Sequence, residues 1–166
     1  MRMRVALAAL EIVTTIVFLA DWSQNPDDVI SESLYAHRGF RMLLSFCVWL
    51  HLGLFAAAHR HDALTLAAIA AAGVGWFLVV AFDNRTGVVV HWVGVAVFCL
   101  ASLAAALATI ASKILLGLIA ADAVLAAVYM SLAVQRNPQA APIQRAAFLL
   151  LLGIMACAIH SLDLQS

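Results

Sequence analysis

Charge is what this sequence has least of. Of its 166 residues, 11% are charged and 66% are hydrophobic. A soluble domain carries about 25% charged and about 45–50% apolar residues. Polar side chains are too few to clothe a globule in water, so the chain reads as an integral membrane protein. Its net charge is zero, which removes the basic footprint of a nucleic-acid binder. Lysine occurs only at Lys113. There it sits at the end of an apolar run, where it can snorkel to water, which argues against a retinal Schiff base. No apolar run carries the regular arginine series of a voltage sensor.

Cysteine is also scarce. Cys47, Cys99 and Cys157 all fall inside apolar runs, where cysteine behaves as a small hydrophobe. No CxxC or His/Cys metal spacing occurs, so neither a disulfide nor a metal site is expected. GxSxG, HExxH and P-loop motifs are missing, and the two halves show no repeat of the kind many transporters have. These gaps point away from an enzyme and away from a bound cofactor.

What is present is apolar length. A membrane-crossing helix needs about 20 mostly apolar residues, because the hydrocarbon core is about 30 Å thick. Six runs qualify: 4–21, 41–58, 63–82, 88–109, 113–134 and 143–162. They lack the strict polar/apolar alternation of barrel strands. Helices and closed barrels are the structures that satisfy every backbone polar group in lipid, so the expected fold is all-α. It is a polytopic membrane protein, a six-transmembrane-helix bundle with short loops, with residues 1–166 forming one integral membrane domain. The sharpest separators are "HRHD", "FDNRTG" and "QRNPQAAPIQR", and the faintest is "TIASK". The one sizeable loop, roughly residues 22–40, has room for a short surface helix. The "MRMR" start precedes an apolar stretch without an A-x-A-like cleavage site, so an uncleaved first helix is expected.

Arg2 and Arg4 flank the first helix, which favours both termini inside. Asn84-Arg85-Thr86 then forms an N-x-T sequon on the outer side, too close to the membrane for glycosylation to be expected. Alanine and glycine crowd "AAIAAAGVGW", "ASLAAALA" and "AADAVLAAV". Such small-residue faces let helix backbones approach closely.

Ionisable residues inside a span are costly, about 2.5–3.5 kcal/mol for Asp at the helix centre on insertion scales. Glu11, His51, His91, Asp122 and His160 each therefore need a partner. From the helical rise, Glu11, His51 and Asp122 lie at one level, roughly 10–14 Å from the inner surface. If their faces converge, they form a polar cluster around one proton or cation; otherwise each bonds locally to a neighbouring helix. His91 and His160 lie near opposite ends of their spans, which disfavours bis-histidine haem. His91 sits about one turn into the fourth span. Its ring can bond the backbone of the preceding loop, pair with Asp83, or reach the first loop. Neutral imidazole donates and accepts at once, so a loop–helix anchor of Asp83, His91 and Gly94 is expected, with a contact surface on the outer side as the alternative.

The spacing Phe82…His91-x-x-Gly94-x-x-x-Phe98, together with Ile30-Ser31-Glu32 in the first loop, resembles the damage-regulated autophagy modulator family. That family has six helices and a larger first loop. Asp83 stands where relatives often carry an amide, Val95 where they often carry alanine, and a Pro-rich continuation of the first loop is missing. The resemblance implies a non-catalytic endomembrane protein of the lysosome, Golgi or plasma membrane that organises lipids or partner proteins. Two other roles fit the composition. One is an accessory subunit of a large energy-transducing complex, as in the mitochondrial inner membrane. The other is a small proton or cation carrier using Glu11, His51 and Asp122. The partners expected are membrane lipids and other membrane-protein subunits.

Overall fold

The computed structural model describes residues 2–24, 30–82, 87–109, 113–135, 137 and 139–162. Their regular elements are all α-helices: α1 (Arg2–Gln24), α2 (Ile30–Ala36), α3 (Arg38–Ala58), α4 (Ala63–Ala81), α5 (Val88–Ala108), α6 (Lys113–Val134) and α7 (Ala140–Leu162). All but α2 are long and apolar enough to cross a membrane. With 19 to 23 residues, they extend roughly 29–35 Å at about 1.5 Å per residue, which matches the hydrocarbon core. The all-α six-helix bundle expected from the sequence is thus the fold observed.

Boundaries differ where local chemistry overrides hydropathy. α1 runs past Asp21, and α7 begins before residue 143. Pro142 is tolerated there because it lies in the first turn, where its missing N–H would have no intrahelical partner. α4 starts at an N-cap: Asp62 accepts from the backbone N–H groups of Leu64 and Thr65 and from the Thr65 hydroxyl. α5 ends at Thr109, whose hydroxyl donates to the Ala106 carbonyl at 2.8 Å. Residues 110–112 of the "TIASK" break lie outside the described residues, as do Asp83 and the sequon at 84–86.

The bundle is turned outward toward lipid. Ile12, Ile16, Met42, Phe46, Val89, Leu100, Ile114 and Val124 are exposed on its sides. A monomer in water does not sustain that much exposed apolar area. α7 occupies the centre, touching α1, α2, α3, α5 and α6, and Leu151, Leu152, Ile154 and Met155 on it are fully enclosed. Phe148 of α7 stacks on Phe18 at 5.2 Å and on Phe98 at 5.9 Å, and Trp76 tilts against it at 5.7 Å. These aromatic contacts join α1, α4, α5 and α7.

α4 and α5 form the most intimate pair, and two glycines explain it. A Cβ on Gly75 would stand 2.4 Å from the backbone nitrogen of Phe98 and 2.8 Å from the Gly94 carbonyl oxygen. A Cβ on Gly94 would meet Leu78 Cβ at 2.8 Å and the Gly75 carbonyl oxygen at 2.9 Å. The neighbours are mostly backbone and cannot swing away. The small-residue stretch in α4 is therefore a close-packed helix face.

Gly75→Ala is expected to destabilise the bundle by about 1–3 kcal/mol, the range for overpacking. Gly117→Ala, where nothing lies within 4 Å, should be neutral or mildly stabilising. Thermal unfolding in detergent compares the two.

The α3–α4 turn is acid-sensitive by construction. Burial lowers the pKa of His59 below its usual 6.5, partly offset by Asp62. Hydrogen bonds from Thr65 lower that of Asp62 below 3.8. Both shifts favour the folded state above the unfolded pKa and lose that contribution as pH falls through the folded one. Acidification below 6.5 should lower the thermal midpoint in one step, which His59→Gln removes. A second step below 3.8 should vanish in Asp62→Asn.

Candidate functional site

Glu11 and His51 meet. Glu11 Oε1 lies 2.6 Å from His51 Nε2, and His51 Nδ1 lies 2.8 Å from the Cys47 carbonyl oxygen. A carbonyl only accepts, so Nδ1 carries a hydrogen. The Nε2···Oε1 contact then holds a single proton between imidazole and carboxyl, and the pair is neutral as a unit wherever that proton sits. This accounts for a histidine with no exposure in the membrane interior, with Glu11 half-buried beside it.

Asp122 does not join them. It lies on α6, which packs on α7, and it lines a cavity to which neither Glu11 nor His51 contributes. Shared depth did not translate into shared facing, because depth follows from residue count and facing from rotation about each helix axis. Among the described residues, no group of three or more His, Cys, Asp or Glu is placed to hold a metal ion. The side chain of His160 lies outside what the structure describes.

His91 is 1% exposed. Its Nδ1 lies 3.0 Å from the Phe82 carbonyl oxygen, so the ring donates to the last residue before the α4–α5 loop. Gly94, one turn further, sits at the α4–α5 crossing described above. Tyr35 of α2 lies 6.5 Å from the His91 ring, and its hydroxyl donates to the carbonyls of Val79 and Val80. Histidine and tyrosine together tie α2 and the end of α4 to α5.

α2 is more deeply set than a surface helix. Ile30, Ser33 and Leu34 are buried, and beneath them lies a network that sequence reading missed. Arg145 of α7 is fully buried and donates to Asp21 Oδ2 of α1 at 2.8 Å and to the Ser33 hydroxyl at 3.2 Å. Its neighbour Gln144 accepts from the Ile30 backbone N–H at 2.6 Å and donates to the Tyr129 hydroxyl at 2.9 Å. In the sequence, Asp21 and Arg145 fall at the edges of the first and last apolar runs and read as boundary charges. The available signal was pairwise: in a bundle with an even number of spans, the end of the first helix and the start of the last lie on one side. Opposite charges there can pair.

The same network roofs a cavity of about 360 Å³ bounded by α5, α6 and α7, with α2 above and α4 behind. Trp92 of α5 stacks on Tyr129 of α6 at 6.1 Å toward the α2 end. Below that stack α5 and α6 scarcely touch. Exposed Leu100 and Met130 stand at the rim, so the cavity opens sideways toward lipid. Its lining is apolar apart from a few groups, chiefly His91, Asp122, Tyr129 and Gln144.

Comparison of the chain with protein-family models, curated proteins and solved structures returned no match.

Removing one partner of a buried ion pair leaves the other charge unpaired, which costs about 3–5 kcal/mol. Arg145→Met is expected to lose stability on that scale. Asp21→Leu combined with Arg145→Met should recover most of it. A double-mutant cycle on unfolding in detergent measures the difference.

Proposed function

We propose that this chain is a non-catalytic multi-pass membrane protein that organises membrane lipid by holding a lipid body in the cavity between α5, α6 and α7. The observation that carries this reading is the cavity's form: apolar, lined toward the α2 end by the Trp92–Tyr129 stack and open to the side between two helices that barely meet. Small-molecule sites are typically concave, mostly apolar and provided with a few placed polar groups. A lipid enters such a site from the bilayer without crossing water. The residue-level resemblance to the damage-regulated autophagy modulator family supports the same reading and is the ground on which we propose an endomembrane location.

The carrier role draws less support, because Glu11–His51 and Asp122 occupy separate places and the pair is already neutral.

Full-length protein purified in mild detergent should carry lipid detectable by native mass spectrometry. Ala126→Trp, which fills the cavity from its own wall, should remove most of it while the protein stays folded. Equal lipid in both forms would overturn the proposal. Recovery of the chain only in company with other subunits would favour the accessory-subunit role.

A further inference from the structure

We infer that the cavity selects a lipid alcohol, an uncharged amphiphile with one slender apolar body whose hydroxyl hydrogen-bonds to Asp122. This rests on the lipid-holding role proposed above and adds the chemistry of the head.

Size sets the first limit. About 360 Å³ lies near the low end of the range of small-molecule sites, about 300–1,000 Å³. One chain or one ring system fits inside, with any remainder trailing into the bilayer past Leu100 and Met130. The Trp92–Tyr129 stack lines the end of the cavity nearest α2.

Polarity sets the second limit. Asp122 is 3% exposed and belongs to the cavity wall. Its Oδ1 is buried without a hydrogen-bond partner among the described residues. The rise from Lys113 to Asp122 is about 13.5 Å, which puts the carboxyl close to the middle of a hydrocarbon core about 30 Å thick. Polar groups held inside a membrane at a cost mark functional positions. Trp76 Nε1, on another wall residue, is likewise a buried donor without a partner among the described residues. The wall thus holds an orphan acceptor and an orphan donor.

Three kinds of head can be weighed against that pair. A phosphate or carboxylate would meet the Asp122 carboxyl with no Lys or Arg in the lining to balance it. An ammonium would donate to Asp122 but would have to be carried as a charge to mid-membrane, a cost that an uncharged donor avoids. A hydroxyl donates and accepts, brings no charge, and can donate to the Asp122 oxygen. The source of the alcohol, isoprenoid chain or sterol ring, does not alter this chemistry.

The test titrates the full-length chain in detergent with geranylgeraniol and with cholesterol, each beside its own methyl ether, and with geranylgeranylamine. Intrinsic tryptophan fluorescence reports occupancy, since Trp76 and Trp92 line the cavity. At least one alcohol should bind about tenfold or more tightly than its ether, the order a lost buried hydrogen bond produces. Which alcohol does so identifies the source. Asp122→Leu should erase that preference. Deleting an unpaired buried acceptor does not threaten folding, and the alcohol–ether comparison in the wild type stands without the variant.

Equal binding of alcohol and ether would overturn the inference. If Ala126→Trp still expelled both, the lipid-holding role would survive it. Tighter binding of the amine would replace the hydroxyl with an ion pair and also overturn it, as would an alcohol preference that persists in Asp122→Leu. Failure of every probe, with copurified lipid unchanged by Ala126→Trp, would overturn the inference and the proposed function together.

Discussion

The Asp21–Arg145 ion pair is the contact on which one whole end of this bundle depends. It joins the first transmembrane helix to the last, and Ser33 adds the short α2 to the same guanidinium. Burial makes the arrangement obligatory. The guanidinium is fully buried, so its donors need acceptors within the protein. Once Arg145 is so held, Gln144 beside it is placed to bond α2 and α6. The roof of the cavity therefore follows from the pairing of a single buried cation.

The opposite treatment of two neighbouring helix pairs shapes what lies below that roof. α4 and α5 approach until only Gly75 and Gly94 fit between them. α5 and α6 meet at the Trp92–Tyr129 stack and then part. Dispersion packing rather than burial from water drives helix association in lipid. A gap between helices therefore forfeits contact energy unless lipid fills it. The opening at α5–α6 beside a tight α4–α5 seam is thus a place where the described helices leave their own packing incomplete.

Much of the architecture was legible in the residues. Apolar length marked six spans, because backbone satisfaction in lipid leaves a chain few other options. The closeness of α4 and α5 was foreshadowed by the alanine and glycine in "AAIAAAGVGW". The level shared by Glu11 and His51 also translated into a contact. Asp122 shows where such reading stops. Counting residues gives depth along a helix, but the rotation of α6 about its axis is decided by its packing on α7, which no local pattern encodes. Arg145 shows a second limit. Hydropathy treats an arginine near a span boundary as a loop residue, and only its partner 124 positions away turns it into core.

Polar atoms in this bundle divide into two groups with different meanings. Glu11 with His51, Asp21 with Arg145, and His91 with Phe82 are each matched to an acceptor or donor within the chain. Their burial is explained by folding alone. Asp122 Oδ1 is not matched in this way among the described residues, although it lies at a depth where an unmatched oxygen is least tolerable. Apolar side chains of similar size would pack the same place without the penalty of desolvating a carboxyl. The stability of the surrounding helices therefore does not account for a carboxyl at that position. Among the described residues, the cavity beside that carboxyl opens between α5 and α6 toward lipid.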